Sequence, residues 1–177
     1  YPFALVCHKN KTGYLCLCVM LRAGAKQPLA IFESKEEGLN MLFEMTERYE
    51  LCTKLNGFSQ ARTYCYNHSI GKCAGACMGD EAVETYNQRV EEALAHYSLV
   101  GRTFVLMDKG RTVHEKSVIL IEDGSIKGYA FISLNYQLSK PILERHLTPL
   151  THNAEMAHLV EHYLRTHPLA KQIEIKD

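Results

Sequence analysis

Four of the seven cysteines, Cys52, Cys65, Cys73 and Cys77, fall within twenty-six residues, and no other stretch constrains the fold as tightly. The segment is punctuated by glycines and has no sustained hydrophobic period, so it reads as a loop unable to build an apolar core of its own. A loop of about thirty residues within a compact domain is unusual unless something staples it. Four thiols can do so as structural zinc ligands, as iron–sulfur ligands or as two disulfides. Disulfides fit least, because the cysteine count is odd and no stretch reads as a signal peptide or membrane span. Lys72-Cys73-Ala74-Gly75-Ala76-Cys77-Met78-Gly79 surrounds two thiols with small residues, so backbone N–H groups can approach the sulfurs and stabilise thiolate charge. Four unligated buried thiols are the bland alternative.

The flanks are regular. FALVC at 3–7, YLCLCVML at 14–21 and LAIF at 29–32 predict strands, the first two joined as a hairpin across Asn10 and Gly13. Cys16 and Cys18 share one strand face, where burial is expected. Ser34-Lys35-Glu36-Glu37 spells a capping box. The helix it opens is expected to bury Leu39, Leu42, Phe43, Thr46 and Tyr49. Gly79-Asp80 begins a second helix, with Val83, Tyr86, Val90, Leu94 and Tyr97 as its stripe. From Arg102 the pattern becomes period two, with an Asp123-Gly124 hairpin signal. A polar stretch holding Pro141 and Pro149 follows, then a helix over about 152–166 stopped by Pro168, then a short QIEI strand. The expectation is an α+β chain: a small antiparallel sheet with a helix (1–50), a four-cysteine, metal-stapled loop plus helix (51–99) and a β-β-β-α-β C-terminal unit (100–177).

Lys54, Arg62, His68 and Lys72 interleave with Phe58, Tyr64 and Tyr66 around the thiols. Cations neutralise phosphates and aromatic faces stack on unpaired bases, so Lys54, Arg62, Tyr64, Tyr66, His68 and Lys72 are candidate DNA contacts. The formal net charge is zero, so any such contact must come from a local patch. His158-Leu159-Val160-Glu161-His162 matches an inverted zinc-protease motif. It lacks a further ligand beyond the distant Glu174, and a solvated helix face is the favoured reading.

Several short patterns coincide in this segment: C-x12-C-x7-C-x3-C, Cys52-x-x-Leu55-x-Gly57, Arg62-x-x-Cys65, G-K-C-x-G-A-C-x-G from Gly71 to Gly79, and Tyr86-x-x-Arg89-Val90. Together they resemble the cysteine segment of UvrC-type excision nucleases over about residues 33–98. The resemblance implies that Cys52, Cys65, Cys73 and Cys77 hold a [4Fe–4S] cluster, and the residues alone admit one structural zinc as well. The whole chain is similar to the C-terminal part of bacterial fusion proteins joining a DNA polymerase III epsilon-like exonuclease to a UvrC-like GIY-YIG region. Tyr1-Pro2-Phe3 carries no initiator methionine, and the chain is expected to be a fragment of something longer. Asp108 weakly resembles the strand-borne aspartate that opens the RNase H-like domain of UvrC proteins, with Glu155 the one partner carboxylate that suggests itself. A truncated relative of that domain is expected, with Asp108 favoured as a turn residue because metal-ion cleavage needs converging carboxylates. No GIY and YIG pair and no exonuclease carboxylate set is present, so nuclease chemistry is expected upstream of Tyr1.

These readings converge on a noncatalytic region of a cytoplasmic DNA repair or processing nuclease that positions DNA through the four-cysteine loop. Its expected partners are DNA, upstream nuclease domains of the same chain and other repair or replication proteins, with no membrane. The alternatives are a zinc-stapled protein-interaction module and a metal-dependent nuclease half using Asp108.

Overall fold

A computed structural model describes residues 1–133, 139–167 and 169–175. They form a mixed α+β chain divided into two compact units, Tyr1–His96 and Tyr97–Asp177.

The first unit begins with strands β1 (Phe3–Lys9) and β2 (Leu15–Leu21), paired antiparallel with Val6 opposite Cys18 and His8 opposite Cys16. Their turn is held by the Asn10 side chain, whose Oδ1 accepts from the Thr12 and Tyr14 amides at 3.0 Å each, while Gly13 takes φ +94°. β3 (Ala30–Phe32) pairs with the other edge of β1, giving the order β2-β1-β3. Cys16 is buried and Cys18 is half-buried.

Ser34 caps helix α1 (Lys35–Arg48), accepting the Glu37 amide at 3.1 Å. The reciprocal arm of the capping box is displaced by one residue: the Glu37 carboxylate takes the Glu33 amide at 3.2 Å rather than that of Ser34. The buried face is Gly38, Met41, Leu42, Met45 and Thr46, so the helix is rotated from the expected stripe and Phe43 is half exposed. Gly38 explains the rotation. A Cβ there would sit 2.9 Å from both Phe32 and Val19, so the glycine lets the helix lie directly on the sheet. After the cysteine loop, with its single helical turn α2 (Tyr66–Ser69), comes α3 (Val83–Tyr97), which buries Tyr86, Val90, Ala93 and Tyr97.

The second unit is a five-stranded antiparallel sheet in the order β7-β6-β5-β4-β8. The strands are β4 (Phe104–Lys109), β5 (Glu115–Glu122), β6 (Ser125–Ser133), β7 (Thr148–Pro149) and β8 (Lys171–Ile173). Asp123 and Gly124 both take positive φ, 48° and 73°, as a two-residue hairpin turn of this hand requires. Period-two alternation gives two apolar clusters. One, holding Phe104, Leu106, Ile121 and Ile126, meets Val160 of α5 (Ala154–Thr166); the other, holding Val105, Val118, Leu120, Ala130 and Ile132, meets Leu143 of α4 (Lys140–His146). A register shift between Leu120 and Ile121 lets Ile126 and Ala130, both even-numbered, join different clusters.

Helix α4 and strand β7 are absent from the expected β-β-β-α-β order. Pro141, expected within a polar stretch, occupies the first turn of α4, where its missing N–H costs nothing. β7 approaches so closely that a Cβ on Gly128 would lie 2.4 Å from the Thr148 carbonyl oxygen. Pro168, the expected stop of α5, lies outside the described residues. No helix among the described residues is long and apolar enough to cross a membrane.

Candidate metal centre

The cysteine loop is held chiefly by polar contacts with the elements around it. Strand β2 is a sheet edge, and two of its backbone donors are taken by side chains: the Leu17 amide by Asn56 Oδ1 at 3.0 Å and the Leu15 amide by Asn87 Oδ1 at 2.8 Å. Asn56 belongs to the loop and is 3% exposed, and its Nδ2 also donates to Thr46 Oγ1 on α1 at 3.0 Å. Asn67 plays the matching part near the far end. Its carbonyl accepts from Lys72 and Cys73 amides at 2.8 and 3.1 Å, and its Nδ2 donates to Glu47 of α1 at 3.2 Å. Hydrogen bonds from Asn67 and from Lys72, 3.3 Å away, hold the Glu47 carboxyl below its usual range.

Each part of the Tyr86-x-x-Arg89-Val90 pattern has a structural role. Fully buried Tyr86 brings its hydroxyl to the Cys52 amide, accepting it at 3.2 Å. Arg89 forks onto the carboxylate of Glu81, a pairing that satisfies an acid 8% exposed, and Val90 packs in the core. The Glu81 carbonyl in turn accepts the Tyr14 hydroxyl. Sequence reasoning found Tyr86 and Arg89 through the motif. It missed Asn56 and Asn67, because lone polar residues in a loop carry no periodic signal, and Glu47, whose place on the polar side of α1 does not reveal its partner in the loop.

Within this frame the Sγ atoms of Cys52, Cys65, Cys73 and Cys77 all lie within 4.8 Å of one another, with Cys52 and Cys65 3.8 Å apart. Cys52, Cys65 and Cys73 are buried and Cys77 is half-buried. Gly75 makes the return between the last two possible: it has φ +93°, and a Cβ there would meet Asp80 at 2.8 Å. Burial pushes the Cys52 and Cys73 thiols up, opposed by the backbone N–H groups of Leu55 and Gly75. Burial also acts to raise Cys65, but the polar groups around it, the His68 N–H and the neighbouring thiols among them, outweigh it and bring this thiol down to about 7. The N–H groups of Leu55, His68 and Gly75 oppose the burial that disfavours charge on three of the sulfurs, and the thiolate is the form that binds metal. These four residues can therefore bind a metal. Among the described residues they are the one group of three or more histidine, cysteine or carboxylate side chains close enough to share an ion.

The six candidate DNA contacts divide. Arg62, Tyr64 and Tyr66 are exposed, with Tyr64 edge-on to His68 at 5.6 Å. Lys54 turns along the loop, its Nζ donating to the Thr63 and Arg62 carbonyls at 2.5 and 3.3 Å. His68 Nδ1 lies 3.1 Å from the Cys73 carbonyl oxygen, and Lys72 pairs with Glu47.

In the second unit, Asp108 is the penultimate residue of β4, its carboxylate accepting from the Tyr163 hydroxyl and from the Lys109 amide, which together hold it below the usual range. It borders a cavity of about 330 Å³ whose lining includes Leu106, Ile119, Met156 and Val160. Glu155 stands in the first turn of α5, and among the described residues neither carboxylate belongs to a metal-ligand group. The H-x-x-E-H helix departs from the expected solvated face: His158 and Glu161 are each 5% exposed, whereas Leu159 is 54% exposed. Glu161 is drawn inward by the Leu99 amide, which donates to its Oε1 at 3.2 Å.

The family model for the UvrC/Cho excinuclease middle domain matches residues 3–96. It reaches back through the β1–β2 hairpin, upstream of the motifs that carry the resemblance, and ends before the second sheet. No curated protein and no solved structure matches the chain. The match spans more than half of the 177 residues and includes every thiol of the centre, so this chain belongs to the UvrC/Cho excinuclease middle-domain family.

Proposed function

We propose that residues 3–96 form a noncatalytic, DNA-positioning region of an excision-nuclease-type repair protein, in which Cys52, Cys65, Cys73 and Cys77 hold a metal centre that fixes a DNA-facing loop. The supporting observation is that one loop gathers its four thiols to within 4.8 Å while Arg62, Tyr64 and Tyr66 stand exposed. A guanidinium neutralises phosphate and tyrosine faces stack on unpaired bases, so this rim suits single-stranded or locally opened DNA. Lys54 and His68 enter this reading as braces of the loop and Lys72 as a cation shared with Glu47. Both a [4Fe–4S] cluster and a single zinc would staple the loop, and positioning draws on neither for electron transfer. Cleavage falls to nuclease domains upstream in the same polypeptide, of GIY-YIG or polymerase III epsilon-like type, acting in the cytoplasm.

Equilibrium binding of the chain to a single-stranded oligonucleotide across a salt series tests this. Arg62→Glu combined with Tyr66→Ala is expected to weaken binding at least tenfold, with about 1–3 kcal/mol from lost stacking and a salt slope shallower by about 1. Affinity and slope both unchanged would sink the reading.

A protein-interaction role is the second reading, favoured by the large side chains Tyr66, Ile70 and Met78, all exposed on the same loop. It takes over if the chain ignores DNA of every form. The nuclease reading of Asp108 requires magnesium-dependent nicking that Asp108→Asn abolishes; with its carboxylate engaged by Tyr163 and no metal-ligand group around it among the described residues, none is expected.

A further inference from the structure

The spacing of the four sulfurs discriminates between the two centres that four thiolates can hold. A tetrahedral zinc with bonds of about 2.3 Å sets its thiolates about 3.8 Å apart. A [4Fe–4S] cube puts a separate iron behind each thiolate and spreads the sulfurs to roughly 6 Å or more. Here Cys52 and Cys65 are already 3.8 Å apart and no pair exceeds 4.8 Å. Closure onto one ion moves the sulfurs by about 1 Å or less. Opening onto a cube requires either the buried thiols to leave their present rotamers or the segments that carry them to part.

Those segments are tied down. The Cys52 amide donates to Tyr86 and its carbonyl accepts the Asn56 amide at 3.1 Å. The Cys65 carbonyl accepts the His68 amide, and the Cys73 amide donates to Asn67, each at 3.1 Å. Asn67 is itself anchored on α1 through Glu47. Cys52, Cys65 and Cys73 are no more than 4% exposed, so outward movement must also displace packed neighbours.

We infer that Cys52, Cys65, Cys73 and Cys77 form a closed, single-ion zinc site with four thiolate ligands and not the iron–sulfur site that the family resemblance implies. Four thiolates complete the tetrahedron and leave no position for water or substrate, so the ion is structural. The inference rests on the proposed metal centre, and it stands apart from DNA binding, which is measured separately.

The test uses the whole chain, produced in iron-replete cells and purified without oxygen, with zinc, iron and acid-labile sulfide measured per chain. One zinc, colourless protein and no sulfide are expected. Co²⁺ added to protein stripped of metal under reducing conditions is expected to bind at one equivalent, give the intense visible bands of a tetrahedral thiolate site, and be displaced by one equivalent of zinc. Cys77→Ser, at the most exposed of the four, keeps three ligands and is expected to weaken Co²⁺ binding by more than the roughly tenfold that loss of an outer partner costs. Four irons with four sulfides in brown protein would overturn the single-ion assignment, and one iron without sulfide would overturn zinc. Either result leaves the DNA titration to judge the positioning role by itself.

Discussion

The two units solve the same problem with different materials. Residues 97–175 cover both faces of a sheet with apolar side chains. Residues 1–96 place an irregular stretch from Leu51 to Ala82 between two helices and hold it by single polar anchors, Asn56, Asn67 and the Tyr86 hydroxyl, around four thiols. Distributed burial tolerates the loss of any one contact better than a centre on which four pieces of loop converge. With the proposed metal centre in place, stability in the first unit is linked to metal, whereas in the second it is linked to packing and, through one buried acid, to pH.

The largest effect expected from this contrast is metal removal. Structural thiolate sites contribute an apparent stabilisation of about 10 kcal/mol or more, which rivals the whole stability of an ordinary domain. Stripping with a chelator under reducing conditions is expected to abolish hydrogen-exchange protection at Cys52, Asn56, Cys73 and Tyr86 while leaving protection at Val105, Leu120 and Ile132 within a factor of a few. Equal loss in both sets would break the comparison.

An intermediate effect is expected in the second unit. Burial pushes the Glu161 carboxyl up from 4.5 to about 7, opposed by the Leu99 amide and by Arg165. The folded unit thus holds a proton that the unfolded chain releases between those values, so the contribution of this group is fully present below about pH 4.5 and lost as pH rises to about 7. The loss is on the order of 3 kcal/mol. Glu161→Gln retains an oxygen for the Leu99 amide without the charge. Urea unfolding followed in residues 97–175 is expected to show the variant more stable by about that amount at pH 8 and equal to the parent at about pH 4.5. A constant difference at both pH values would remove burial as the cause.

How far the sequence could be read follows the same division of materials. Period-two strands, the Asp123-Gly124 turn and the Ser34 cap are local chemistry, and each stands where its residues indicated. Helix faces depend on the neighbour: Gly38 rotates α1, and the Leu99 amide draws Glu161 inward on α5, choices that no single helix encodes. Pro141 was ambiguous because the same ring that breaks a helix interior suits a first turn. At the candidate site the thiols were legible from spacing, but the division of the basic residues was not. Whether Lys54 reaches outward or back to the Thr63 carbonyl depends on how the loop closes, and loop closure is set by side-chain anchors without periodicity.

The smallest expected effect lies at the junction between thiol and core. Tyr86→Phe preserves the ring packing against Tyr14, at 5.6 Å between centroids, and removes only the oxygen that accepts the buried Cys52 amide. Leaving that donor unpaired costs about 1–3 kcal/mol. Because Cys52 is a ligand of the proposed ion, part of this penalty is expected to register as weaker metal binding, a few-fold to about a hundredfold in Co²⁺ affinity, while residues 97–175 unfold unchanged. If the variant loses stability but binds Co²⁺ as the parent does, Tyr86 is a core residue that merely lies under the site. If both fall together, the hydroxyl couples ligand geometry to the α3 core, and metal linkage in the first unit extends beyond the four cysteines to the helix that closes the family match.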